Sequence, residues 1–334
     1  MRRNAARRSG VALLLALVVL AVAASFLVAG FYAARNSVTA DRLLFRTAQL
    51  SADNDLAAVA LLAAWDSARA FGQAIGATNS VSIANPDSRT VSRAWTTRFA
   101  SRAYWVTLQS NDAADSSTFS RSIIILRVAG PEFPPDGGLI VDGDVRADGL
   151  LEIVAADSAL AAVCGGASAD WSPLIVPLGY SAPAFAASKA VAGQTSTYTN
   201  FGEMSLPQLT DAAALELPAG AVLSAPTAPI IHARGDLELT GGSGRGVLLV
   251  DGQLLLSGPV SFHGVIESLG GLKVTSSGVL LAGMVLVGGG AAPAMSVKSS
   301  AGMKLQYDPC LIEEVSWHAG SIRPLSPWGW APAP

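Results

Sequence analysis

Apolar positions fall into three regimes along the 334-residue chain. From Val11 to Phe31 no residue is charged, while Arg2, Arg3, Arg7 and Arg8 precede this run and no acidic residue occurs before Asp41. About 20 apolar residues is the length a membrane-spanning helix needs. The arginine bias predicts a cytoplasmic N-terminus and carries the rest of the chain across the membrane. Residues 36–76 then lack proline, are rich in Ala and Leu, and place Leu56, Val59, Ala60, Ala63 and Ala64 at helical spacing. The spacing predicts a continuous rod of about 60 residues, roughly 90 Å long. Its outer half would bury that stripe against a globular head, and its inner half would lie in lipid or against other rods. Alternation over Ala103–Gln109 and Arg121–Val128 predicts two strands joined by a polar loop, a small α+β unit whose hairpin covers the helix. Gly130-Pro131 and Pro134-Pro135 mark a domain boundary.

The third regime is periodic. Divided after its glycines, residues 247–290 read VLLVDG, QLLLSG, PVSFHG, VIESLGG, LKVTSSG, VLLAG, MVLVGGG. Short alternating runs closed by glycines able to take positive φ fit flat strands joined by sharp corners. Three such faces make a coil of about 18 to 20 residues, the repeat of a β-helix or solenoid. Gly235-Asp-Leu237-Glu-Leu239, Gly252-Gln-Leu254-Leu-Leu256 and Gly270-Gly-Leu272-Lys-Val274 share the pattern G-x-L-x-[LV] at spacings of 17 and 18. The pattern predicts one interior ladder of Leu237, Leu254 and Leu272 with a second of Leu239, Leu256 and Val274 beside it. Gly143-Asp-Val145-Arg-Ala147 carries a weaker copy, read as a first coil interrupted by an excursion of about 70 residues before coils resume near Ile230. The expected fold is an α+β N-terminal part followed by an all-β single-stranded β-helix. Its divisions are a basic leader (1–10), a transmembrane helix (11–34), a helix continuation with a strand unit (35–130), the β-helix (131–310, excursion at about 159–228) and a proline-rich tail without regular structure (311–334).

Composition narrows the function. The chain is 51% hydrophobic and 14% charged, with net charge -3 and only four Lys, so it has material for a core and no basic face for nucleic acid. Cys164 and Cys310 lack metal-ligand spacing; in an oxidising compartment they pair most simply, two buried thiols being the other reading. Ala21-Val22-Ala23 would suit signal peptidase, so a discarded signal stands beside a retained anchor and a pilin-like spine.

Because β-helices include polysaccharide-cleaving enzymes, the carboxylates Asp142, Asp144, Asp236, Glu238, Asp251 and Glu267 and the imidazoles His232, His263 and His318 are the groups to weigh. General acid–base chemistry needs two of them facing one cleft. Asp142 and Asp251 instead flank corner glycines, where short polar residues favour the turn, and the set is read as solvated turn carboxylates. No metal, cofactor or catalytic residue is expected. "LTGGSGRG" at 239–246 lacks the Gly-Lys-Ser/Thr ending of a phosphate loop and reads as a solenoid corner.

The order of parts, from "RSGVALLLALVVLA" through "AQLSADNDLAAVALLAAW" to a small strand unit, resembles PilX-type minor pilins and related type IV pilus assembly proteins of bacteria. The coils "GDLELTGGSGRGVLLVDGQLLLSGPVSFHGVIESLGGLKV" look like the β-helical region of uncharacterised members of that group and broadly like bactofilin coils, which implies a right-handed coil. The resemblance implies prepilin-like processing after Gly10, leaving Val11 as the first mature residue. The fifth mature position is then Leu15, where major pilins carry the Glu that pairs with a neighbour's N-terminus; this departure argues against a bulk filament subunit. The implied role is a non-enzymatic minor pilin at the bacterial inner membrane or in a surface pilus, partnered by pilin or pilus-assembly subunits, acting in assembly, tip formation or adhesion to a surface or glycan. Two other classes stand beside it: a bitopic envelope protein with a β-helical scaffold, and a carbohydrate-active enzyme.

Overall fold

The computed structural model describes residues 3–83, 90–113, 119–133, 137–155, 164, 172–177, 189–191, 200–202, 204–325 and 331–332. Helix α1 (Arg3–Ala63) is one unbroken rod of 61 residues, as its lack of proline permits. It is followed by α2 (Ser67–Phe71), whose first turn is closed by Asp66 Oδ1 accepting from the Arg69 amide at 3.0 Å. Strands β1 (Thr78–Ile83), β2 (Thr90–Ala100), β3 (Ala103–Asp112) and β4 (Phe119–Ala129) then form an antiparallel sheet in chain order. The two expected strands are thus the centre of a wider sheet.

The last third of α1 packs on this sheet, burying Leu50, Asn54, Ala57, Ala58 and Leu61 against Tyr104, Val106, Leu108, Ile124 and Leu126. The stripe expected from spacing is on the other side: Leu56 is 57% and Val59 64% exposed, and Ala60, Ala63 and Ala64 are exposed too. The sheet face is filled with large side chains, and the helix meets it with Ala57 and Ala58 set between Leu50, Asn54 and Leu61. Asn54 satisfies its amide by donating to Ser120 Oγ at 3.2 Å.

The remaining strands follow in order. They are β5 (Gly137–Val141), β6 (Val145–Ala147), β7 (Leu150–Ala155), β8 (Ser172–Pro177) and β9 (Lys189–Val191), then the small pair β10 (Asn200–Phe201) and β11 (Met204–Ser205) leading into α3 (Leu206–Asp211). Next come β12 (Leu215–Leu217), β13 (Ala221–Ser224), β14 (Thr227–Ala233), β15 (Leu237–Val250), β16 (Leu254–Leu256), β17 (Val260–Ser268), β18 (Leu272–Val274), β19 (Val279–Val287), β20 (Met295–Val297) and β21 (Gly302–Tyr307). Apart from β10 and β11 they join into a nearly closed sheet whose pairs are all parallel. Leu237, Leu254 and Leu272 occupy successive register positions, continued by Met295 and Val145; Leu239, Leu256 and Val274 are continued by Val297 and Ala147. All but the partly buried Ala147 lie in the interior.

A second layer covers the sheet from outside. Val247, Leu249, Val265, Met284 and Leu286 face Phe201, Leu209 and the helix α4 (Pro309–His318), which brings Ile312 and Val315. Glycines turn the corner between strand segments. Gly246, Gly264 and Gly283 stack in register with φ of 131°, 142° and 121°. A Cβ on Gly264 would lie 2.0 Å from the Gly246 carbonyl oxygen. The "LTGGSGRG" segment is not a break: β15 runs through it, bending at Gly241, Gly242 and Gly246.

Chain order and spatial order differ. The strands of the expected first coil do not precede the others; β5, β6 and β7 pair with the late strands β19, β20 and β21, Leu139 with Val285, Val145 with Met295 and Leu150 with Gly302. β8 and β9 extend the sheet further, and the chain returns through β10–α3 to start the opposite end at β12. The parallel sheet therefore begins again at Leu215, inside the span expected to be an excursion, rather than near Ile230. Ala221 occupies the position that Leu237 holds on the next strand, so the repeat pattern was silent there.

The C-terminal segment is also more ordered than its prolines suggest. Asp308 caps α4, its Oδ1 accepting from the amides of Cys310 (3.0 Å) and Leu311 (3.1 Å), and Pro309 takes the first helical position. Strand β22 (Ser321–Pro324) and the short β23 (Ala331–Pro332) then pair antiparallel with β4. Trp171, Trp328 and Trp330 lie outside the described residues.

Candidate functional site

Two features dominate: a bare rod, and a tight joint fixing that rod to the head. From Leu14 to Phe45 every described side chain of α1 is exposed, including Leu20, Phe26, Leu27, Phe31, Leu44 and Phe45. α1 is long and apolar enough to cross a membrane, and the apolar window that qualifies it is 0% buried. Gly10 and Val11 lie inside the helix near its start. Beyond Phe45 the rod engages the head on one side, beginning with Arg46, whose guanidinium bonds Asp112 at the end of β3 at 2.6 Å.

The joint is built around Arg98 on β2, which is 0% exposed. Its guanidinium donates to the carbonyls of Phe71 (2.7 Å), Gln73 (2.9 Å), Ser101 (2.5 Å) and Ala100 (3.3 Å). The same group lies 5.3 Å from the Trp317 ring centroid and 5.6 Å from that of Phe71. Desolvation lowers the Arg98 pKa, opposed by the nearby Tyr104 and Glu313. Burial raises that of Tyr104, whose hydroxyl donates to the Ala70 carbonyl at 2.7 Å. Trp317 meets Phe71 and Tyr104 edge-on at 5.7 and 5.6 Å, bringing α4 into the core between α1 and the first sheet. Beside it Arg102 makes a fork-to-fork pair with Glu313, both bonds 2.9 Å, and reaches Ser316 Oγ at 3.0 Å. Ser316 itself bonds the Pro131 carbonyl. Cys164 and Cys310 are joined as a disulfide at the start of α4. Arg98 and Arg102 gave no sequence signal of this kind, because their partners are backbone carbonyls and a helix more than 200 residues away.

The groups weighed for acid–base chemistry are dispersed. His232 Nε2 and Asp251 Oδ2 are 3.0 Å apart at one corner. Asp236 Oδ1 accepts from the Gln253 amide at 2.7 Å, bracing the next turn, and Glu238 accepts from Ser257 Oγ at 2.5 Å. His318 lies 3.8 Å from Glu314, whose carboxylate also pairs with Arg245 at 2.6 Å. These contacts hold the Glu314 pKa low, the His318 bond first among them. His263 stands in register between Arg245 and Ala282, and Asp142 follows β5, its amide bonded to the Val287 carbonyl at 2.8 Å. Asp144 precedes β6, its carbonyl accepting from the Met295 amide at 3.2 Å.

Glu267 departs from the turn reading. It is 1% exposed, in register between Leu249 and Leu286 under the outer layer, and neither carboxylate oxygen has a hydrogen-bond partner among the described residues. Burial pushes its pKa up to about 8. Among the described residues no group of three or more His, Cys, Asp or Glu could hold a metal ion.

No protein-family model matches the chain, and no curated protein does. Among solved structures it is similar to the competence-associated pilin ComZ from Thermus thermophilus, at 9% identity over 77% of this chain and 87% of that one. The TM-score of 0.26 is too low to speak to fold or role.

Proposed function

We propose that the chain is a non-enzymatic, pilin-like component of a type IV pilus or related filament. Residues 11–34 of α1 lie in the bacterial inner membrane or among other pilin helices, and the head projects outward as a rigid β-solenoid. The observation that carries this reading is the two-sidedness of α1. From Leu14 to Phe45 its described side chains are all exposed, and where the rod finally meets the head its far side is still apolar at Leu56 and Val59. Val59 lies about 42 Å along the rod from Phe31, more than the roughly 30 Å thickness of a bilayer's hydrocarbon core. A lipid anchor gives no reason for apolar residues there; a neighbouring helix does.

Processing after Gly10 belongs to this reading, and the absence of Glu at the fifth mature position (Leu15) suits a minor subunit rather than the bulk one. Intact-mass and N-terminal peptide analysis of the native protein, comparing sheared surface material with washed membranes, tests it. A chain starting at Val11 with a methylated amine in the sheared fraction is expected. An unprocessed start confined to membranes would overturn the pilin reading in favour of a bitopic envelope protein, and a start near Ala24 would make the apolar run a discarded signal.

A further inference from the structure

The antiparallel sheet has a second face, turned away from α1, and its chemistry differs from the core-facing side. Register sets Trp95 opposite Thr107 and Thr97 opposite Trp105, so the two tryptophans are diagonal neighbours, about 7 to 8 Å apart between Cα atoms. Trp105 is 45% exposed, and Trp95 is partly exposed with the Arg93 guanidinium 6.0 Å from its ring centroid. Around them stand the hydroxyls and amides of Thr97, Thr107, Gln109 and Asn111, and on β4 the apolar Ile125 and Ile123, which register sets opposite Trp105 and Thr107. Gln109 accepts from Arg121 Nη2 at 3.0 Å and donates to Asn111 Oδ1 at 2.8 Å, which fixes the orientation of a row of polar groups. Arg93 and Arg121 have no carboxylate partner among the described residues, and the described outward positions of β1 to β4 carry no Asp or Glu. Glu132, past the end of β4, lies 3.6 Å from Arg127.

We propose that this face binds an acidic polysaccharide. Trp95 and Trp105 offer flat apolar surfaces to the C–H faces of successive sugar rings, the Thr, Gln and Asn side chains match ring hydroxyls, and Arg93 and Arg121 match uronate carboxylates in bidentate fashion. The described residues of the face are cationic, which complements a polyuronate. They lack the row of Lys and Arg that neutralises successive phosphates, so a nucleic acid is the poorer fit. The site is separate from the free helix, so it goes beyond the pilin reading and stands or falls independently of the N-terminal analysis.

The test uses the full chain in detergent micelles, with polygalacturonate as the probe, dextran as the neutral comparison and a single-stranded oligothymidine as the phosphate polymer. Affinity electrophoresis and tryptophan-fluorescence quenching report binding. Polygalacturonate is expected to bind in preference to both others. Trp105→Ala is expected to weaken it about tenfold or more, the factor that corresponds to about 1.4 kcal/mol. The double variant Arg93→Gln/Arg121→Gln is expected to abolish the preference over dextran while leaving circular dichroism unchanged. Its exposed side chains make it decisive even where Trp105→Ala perturbs the sheet. Absence of polygalacturonate binding, binding that survives the arginine variant intact, or tighter binding of oligothymidine would each overturn the assignment.

Discussion

Glu267 and Gly264 are three residues apart on β17 and constrained in opposite ways: one needs a proton, the other cannot accept a methyl group. In the unfolded chain Glu267 titrates as an ordinary carboxylate, near 4.5, and in the fold burial pushes it up to about 8. The fold therefore binds the proton more tightly than the unfolded chain does. Its contribution to stability is complete below about pH 4.5, declines as pH rises, and is gone above about pH 8. By linkage the difference is on the order of several kcal/mol. Denaturant unfolding at acid and alkaline pH should show this slope in the parent and a flatter one in Glu267→Gln, with the variant the more stable at about pH 9. For Gly264→Ala, the positive φ and the 2.0 Å approach to Gly246 predict a loss of about 3 kcal/mol or more in the same assay. The glycine was legible, because a corner recurring on successive parallel strands demands it. The buried carboxylate was not. In Val265-Ile266-Glu267-Ser268 both faces of the strand are covered, and the outer cover is supplied by Phe201, Leu209 and α4, remote in sequence.

For α1, existence, continuity and the apolar run could all be read from residue spacing, whereas the choice of packing face could not. A helix with apolar residues on two sides carries two equally periodic stripes, and only the shape of the sheet decides between them. Ala57 and Ala58 allow close approach; Leu56 and Val59 remain exposed. Leu56→Ser with Val59→Ser should leave thermal stability nearly unchanged, within about 0.5 kcal/mol per site, while a cysteine at 59 should cross-link to a neighbouring helix in the native membrane or filament. Ala57→Leu should do the reverse, lowering stability by about 1 to 3 kcal/mol through overpacking. Melting curves of both, alongside cross-linking yields, separate the two faces. α4 teaches a related lesson. Its Asp308-Pro309 start is a helix signal, yet the prolines after residue 323 masked it.

At the scale of the molecule, the C-terminal 30 residues tie the parallel sheet to the unit around α1. Trp317, the Arg102–Glu313 pair, β22 on β4 and the Cys164–Cys310 bond all converge there. The disulfide spans 146 residues, so Cys310→Ser is expected to cost about 4 to 5 kcal/mol in the chain-entropy view, read as a lower denaturant midpoint under non-reducing conditions. The parallel register of β15, β16 and β18 was legible from G-x-L-x-[LV] because a repeat is a local property. The place of β5, β6 and β7 was not, since nothing in them tells them to wait for β19, β20 and β21. That wait has a consequence for folding. As the chain is made from its N-terminal side, β5, β6 and β7 appear early, but the strands that pair with them end at Tyr307. Until about 150 further residues have followed, one edge of β5 to β7 stays open to any other extended chain nearby, so the rate of synthesis and the concentration of other unfolded chains, as well as final stability, set how much of this protein reaches its folded state.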